Sequence, residues 1–250
     1  MSAAPENHTT ELRILPFGDA AVTAEFGDVI SAELNDRVQA LYAGLEARKI
    51  RGISEIVPTY RSVTVQYDPL VLSYRKVARI IKKTAENAGD RKKAERFVYE
   101  IPVCYGDAYG PDLSVVAEHA GLTEEEVVKR HSERTYRIYM LGFLPGFPYL
   151  GGLDESLQTP RLQTPRLKIP AGSVGIAGMQ TGIYPMESPG GWQLIGRTPV
   201  PVYDPEKTPP VFYRAGDHLK FVPVTEAEFE RIAALCGRGE YICHREPLRS

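Results

Sequence analysis

Met140–Pro199 reads MLGFLPGFPYLGGLDESLQTPRLQTPRLKIPAGSVGIAGMQTGIYPMESPGGWQLIGRTP. Gly and Pro recur every few residues. Proline removes a ladder donor and glycine adds no packing, so this is not the writing of ordinary core strands. A flexible linker does not fit either, because Phe143, Phe147, Tyr149, Ile169, Val174, Ile176, Ile183, Tyr184, Trp192 and Ile195 are too apolar for one. What remains is a set of short strands joined by tight turns whose geometry Gly and Pro fix. Loops on such scaffolds are where binding sites concentrate.

The segments around this stretch divide in two. Leu12–Leu15 and Ala20–Phe26 read as strands. Ser31 is placed to cap a helix running to about Arg48, with Leu34, Val38, Leu41 and Leu45 as its inner stripe. Ile53–Val57 and Ser62–Tyr67 are strands again. Ser73 is placed to cap a second helix with Val77, Ile80, Ile81, Thr84 and Ala88 inward and Gly89 as its stop. The order ββαββα predicts a small α+β domain over residues 10–92, ended by the charged run Asp90–Arg96. A mostly β domain is expected over residues 97–245. Phe97–Tyr105 opens it. Asp112 is placed to cap a short helix ending at Gly121, and Thr123 with Glu126 forms a capping box for the next. Tyr136–Leu141, Pro199–Tyr203, Val211–Tyr213 and His218–Val222 read as strands, with a turn at Ala215–Asp217. Thr225 and Glu228 start a last helix that ends at Gly237. Many short strands with few helices point to a closed or nearly closed barrel.

Composition narrows the function class. A net charge of −2 gives no case for nucleic acid or an anionic membrane surface. No apolar run approaches the roughly 20 residues that span a bilayer. The opening MSAAPENHTTE has no basic or hydrophobic region, so it reads as a short disordered lead and the expected location is cytoplasmic. Cys104, Cys236 and Cys243 are scattered and not at metal-ligand spacing, so no metal is expected. The chain has no Walker A, HExxH or GxSxG pattern.

Several residues carry chemistry. Arg166, Lys168 and Arg197, with Arg161, supply cations suited to a carboxylate or phosphate, or else form a solvated positive edge. Gln180, Thr181 and Tyr184 bring an amide and two hydroxyls to one Gly-flanked turn, for a small polar ligand or for their own backbone. Glu187 lies among apolar residues and is a candidate general base. His131 falls near a helix C-terminus, where the dipole favours a protonated imidazole, and is the second acid–base candidate. The pentapeptide LQTPR occurs twice in succession, at Leu157–Arg161 and Leu162–Arg166, and reads as a stiff exposed segment.

The motifs GFLPGFPYLGGL, TPRLQTPR, IPAGSVGIAG, QTGIYP and ESPGGWQLIGRTP, with VCYG, FVPV and GDAAV outside the stretch, resemble the signature of the 5-oxoprolinase B-subunit family. That family is also called allophanate hydrolase subunit 1 or sporulation-kinase inhibitor. Met179 departs from the family pattern, where a small residue precedes the Gln. The resemblance implies a cyclophilin-like barrel behind a small α+β domain. It also implies ATP-dependent opening of 5-oxo-L-proline to L-glutamate in a complex with subunits A and C, with ATP and Mg as co-substrate of the complex and inactivity of this chain alone. Two alternatives stay open: inhibition of a histidine kinase, and a carboxyltransferase-like module of urea carboxylase or an allophanate pathway.

Overall fold

The computed structural model describes residues 11–87 and 95–248. The N-terminal lead, Ala88, Gly89 and positions 90–94 of the charged run lie outside the described residues. The chain divides into two compact units, Met1–Ala94 and Glu95–Ser250.

In the first unit β1 (Arg13–Pro16), β2 (Ala21–Glu25), β3 (Ile53–Pro58) and β4 (Ser62–Tyr67) form an antiparallel sheet in the order β1-β2-β4-β3. Helix α1 (Ala32–Glu46) starts where Ser31 Oγ accepts the Leu34 N–H at 3.1 Å. Its expected stripe of Leu34, Val38, Leu41 and Leu45 is buried. Helix α2 (Tyr74–Glu86) turns Val77, Ile81 and Thr84 inward, while Ser73 takes the cap position without a side-chain cap bond. Val63 and Val65 are fully buried and Tyr67 nearly so, which is the alternation of a strand with one covered face.

The second unit is the expected barrel. Its ring runs β12 (Gln193–Arg197), β9 (Ser173–Ala177), β10 (Gln180–Ile183), β7 (Pro148–Gly151), β6 (Thr135–Leu141), β13 (His218–Pro223) and β5 (Phe97–Tyr105), and β5 closes it on β12. The closing register pairs Gly196 with Tyr105 and Arg197 with Cys104. A Cβ at Gly196 would lie 2.8 Å from the Cys104 carbonyl oxygen, so the seam needs glycine there. Seven strands in a ring leave room only for side chains. Ile101, Val103, Ile138, Val174, Ile176, Ile195, Leu219 and Phe221 fill it. A short edge strand, β14 (Arg245–Pro247), adds to β5.

Helices α3 (Leu113–Ala120) and α4 (Glu124–Ser132) pack against the barrel unit, joined through Gly121 in the left-handed region at φ 64°. The capping box at Thr123 is complete in both directions. Helix α5 (Glu226–Gly237) starts on the Thr225 hydroxyl, but Glu228 pairs with Arg231 rather than returning to the cap. Beside the ring, β8 (Arg166–Ile169) and β11 (Ser188–Gly190) form a separate two-stranded sheet.

Two expected strands are absent. Pro199–Tyr203 and Val211–Tyr213 are irregular, although Val200, Val202 and Tyr213 are buried. Pro199, Pro201, Pro209 and Pro210 remove the donors that a ladder needs. The apolar residues anchor a loop instead, and Tyr213 Oη donates to the Gly146 carbonyl at 2.7 Å. Among the described residues no helix is long and apolar enough to cross a membrane.

Candidate functional site

His131 lies near the end of α4 and points into the protein, fully buried. Its ring stacks on Phe221 at 4.6 Å. Thr181 Oγ1 donates to the Gly175 carbonyl at 3.0 Å, so at 2.8 Å it accepts from His131 Nε2–H. Nδ1 is then the acceptor, and the Tyr105 hydroxyl donates to it at 2.8 Å. The Tyr136 hydroxyl closes the network on the His131 carbonyl at 2.7 Å. Burial pushes the imidazole pKa down to about 3. The expectation of a protonated imidazole at the helix end is therefore corrected, because desolvation outweighs the helix dipole. His131 is neutral, both ring nitrogens are engaged, and Thr181 is buried with it. Together they pin α4 to the barrel.

The cations do not form one cluster. Arg166 opens β8 and binds Asp112 through both terminal guanidinium nitrogens, Nη1 to Oδ2 at 2.9 Å and Nη2 to Oδ1 at 2.7 Å. Asp112 Oδ2 also accepts the Leu194 N–H at 2.6 Å. This carboxylate was expected to cap α3. It occupies the cap position but makes no side-chain cap bond, because its oxygens serve the barrel wall and Arg166. Two residues on, Lys168 reaches Glu187 at 3.1 Å, with both side chains largely exposed. Arg197 Nε donates to the Ala171 carbonyl at 2.9 Å. Gln180 begins β10 half-buried, beside the exposed Met179.

Tyr184 is buried in an aromatic cluster that also includes Phe147 and Trp192. Its ring meets Phe147 at 5.6 Å and Trp192 at 6.1 Å, both edge-on. Burial raises the phenol pKa, and a hydrogen bond with the Trp192 backbone and then the charges of Arg161 and Arg166 partly oppose this. A Cβ at Gly190 would stand 2.5 Å from the Tyr184 hydroxyl, so β11 lies directly on the ring only because it carries glycine there. At the cluster edge Phe143 is 67% exposed with φ 65°, a left-handed backbone that a phenylalanine seldom adopts.

The structure thus joins Lys168 with Glu187 and His131 with Thr181, and sets Arg166 and Tyr184 into separate packed sites. Asp112 and Tyr105 are the partners that sequence reasoning missed. Asp112 reads as a helix cap, and no local pattern announces a bond to a residue 54 positions away. A cleft of about 330 Å³ lies elsewhere on this unit, lined by Tyr99, Lys207, Phe212, Tyr241 and Arg245 among others, and it contains none of the expected site residues. Among the described residues no group of His, Cys, Asp and Glu is placed to hold a metal ion.

The family model for the carboxyltransferase domain, subdomain C and D, matches residues 12–213. The chain is 42% identical over 231 residues to the 5-oxoprolinase B subunit of Bacillus subtilis (strain 168), covering 88% of this chain and 96% of that protein. It is 43% identical over 210 residues to the 5-oxoprolinase B subunit of Escherichia coli O157:H7, covering 84% and 94%. Among solved structures it is similar to an uncharacterized protein from Pyrococcus horikoshii, at 50% identity over 87% of this chain and 100% of that one, with a TM-score of 0.52. The Kluyveromyces lactis urea carboxylase shares the fold at 20% identity, with a TM-score of 0.78 over 99% of this chain and 25% of that one.

Proposed function

The chain belongs to the 5-oxoprolinase B-subunit family, and on that premise we propose that it is the B component of a hydrolase complex that opens 5-oxo-L-proline to L-glutamate at the expense of ATP. The observation that carries this reading is similarity to a stand-alone B subunit over 96% of that protein's length. In the overall reaction the lactam, ATP and two waters yield glutamate, ADP and phosphate. A lactam carbonyl is a poor electrophile, and transfer of the ATP γ-phosphoryl to its oxygen, releasing ADP, activates the carbon. One water then adds, and the ring C–N bond breaks as the nitrogen takes a proton. The second water hydrolyses the resulting acyl phosphate to glutamate and phosphate. The developing charge calls for cations and N–H donors close by.

This chain has no phosphate-binding loop of the Walker type. We therefore assign ATP and its Mg to a partner, and the partners to subunits A and C. The chain on its own is then inactive. Its contribution is the polar surface around β8 and β11. There Lys168 and Glu187 stand paired and exposed, available to a substrate presented by a partner. Glu187 is the remaining acid–base candidate of the two, since His131 is enclosed. Arg166 supports the surface through Asp112, and Arg197 and Gln180 stand at the edges of the barrel strands. Three free cysteines agree with a reducing, cytoplasmic setting.

The test is glutamate formation from 5-oxoproline and ATP by subunits A and C, with and without this chain. Turnover that requires the chain is the expected result. Turnover that ignores it, with both partners folded, overturns the reading in favour of a binding role such as kinase inhibition or a urea carboxylase module.

A further inference from the structure

We infer that Gln193 is the residue that reads the lactam amide of the substrate, an inference that rests on the oxoprolinase reading above. Gln193 opens β12 opposite Ile176 of β9 and is 5% exposed. One hydrogen of its Nε2 goes to the Pro160 carbonyl at 3.0 Å. Its Oε1 is buried and has no hydrogen-bond partner. A buried acceptor left unpaired costs roughly 1–3 kcal/mol, and native interiors seldom keep one without a use. The adjoining β11 carries a second such atom, Ser188 Oγ.

The chemistry of the orphan selects its ligand. A lactam holds its amide cis, so N–H and C=O project from the same edge of the ring. The unpartnered Oε1 of Gln193 is the acceptor that the ring N–H requires. In 5-oxoproline the carboxylate is borne on the ring carbon next to that N–H. Arg161 directly follows Pro160, is exposed, and makes no ion pair with a described residue. It supplies the cation for the carboxylate, while Arg166 is committed to Asp112. The ligand reaches Oε1 by a shift of residues 162–165, exposed at Gln163, Thr164 and Pro165, with Pro160 and Arg161 kept in place.

The inference is tested in the assembled complex with Gln193→Leu, which keeps the side-chain bulk, and Gln193→Glu, which keeps an acceptor. The probes are 5-oxoproline and its lactone analogue, in which a ring oxygen replaces the N–H. The intact complex is expected to prefer the lactam by about tenfold or more, the size of one buried hydrogen bond to an otherwise orphaned group. Gln193→Leu is expected to raise KM for 5-oxoproline by a similar factor and to abolish that preference, while Gln193→Glu retains part of it. Should Gln193→Leu not fold, the side-chain amide resonances of Gln193 in the labelled wild-type chain within the assembled complex, assigned with Gln193→Glu, give the second readout. They are expected to shift with 5-oxoproline and not with the lactone. A complex that requires this chain but keeps its lactam preference in a folded Gln193→Leu variant overturns this inference alone, as do amide resonances that ignore 5-oxoproline. A complex that turns over without this chain overturns the functional reading and this inference together.

Discussion

The pentapeptide LQTPR is written twice in succession, and its two copies meet opposite fates. In the first, Leu157 is fully buried in the barrel core and Thr159 is 2% exposed, bridged to Gly178. In the second, Leu162 is only half-buried and Gln163, Thr164 and Pro165 face outward. The arginines reverse the pattern. Arg161, closing the buried copy, is exposed and has no ion pair among the described residues, while Arg166, closing the exposed copy, is held by a buried carboxylate. Identical local propensities gave different structures because the neighbours differ. The first copy has the barrel interior to fill, and the second has Asp112 and β11 to meet.

The sharpest way to break this difference is to remove Asp112. Asp112→Ala leaves Arg166 and the Leu194 N–H without their partner and makes the second arginine like the first. Loss of one member of a buried pair costs about 3–5 kcal/mol, and the partly exposed guanidinium places this pair at the lower end. Denaturant unfolding of the purified chain measures it. A loss below about 1 kcal/mol would show that the pair is no more than a surface contact.

Truncating the two leucines compares the copies directly. Leu157→Ala is expected to cost about 2–5 kcal/mol because it opens a cavity in a filled barrel. Leu162→Ala, at a half-buried site, is expected to cost under about 1 kcal/mol. Equal losses would mean that the second copy is as deeply packed as the first.

How far the sequence carries follows the same division. Strand alternation at Val63–Tyr67, the Ser31 cap and the Thr123 capping box depend on near neighbours, and each was legible. The barrel was legible from turn chemistry, because Gly and Pro fix where short strands must end. The loop around Val200–Tyr213 was misread since buried valines suggest strands, and the missing proline donors outweighed that pattern. Site residues were the least legible. Whether Arg166 is a free cation or a structural one depends on Asp112, which only the fold brings to it. His131 looked like a cation by its place on a helix, and its burial between Tyr105 and Thr181 made it neutral.

That buried histidine predicts a pH dependence. The folded pKa of about 3 lies below the ordinary value of 6.5, so the unfolded chain binds the extra proton. The stability that this histidine contributes is present above pH 6.5 and is lost as pH falls towards 3. The slope is at most about 1.4 kcal/mol per pH unit for one proton. His131→Gln should flatten the acid limb of stability between those values while lowering stability at neutral pH. An unchanged acid limb in a folded variant would assign acid sensitivity to other groups.

The smallest stability effect should come from the second ion pair on β8. Lys168 and Glu187 are 78% and 61% exposed, so solvent screens them more than it screens Arg166 and Asp112. Glu187→Gln should move stability by no more than about 0.5 kcal/mol. The same substitution separates structure from chemistry, because a carboxamide keeps the shape of the group and cannot take a proton. If Glu187 is the base that activates water, turnover of the assembled complex falls by about 10²–10⁴ while the melting temperature stays in place. Turnover that survives intact would leave Lys168 and Glu187 as a surface pair and move the proton transfer to a partner subunit. Two cations two residues apart on one strand would then differ only in burial, one fixing the fold and the other facing water.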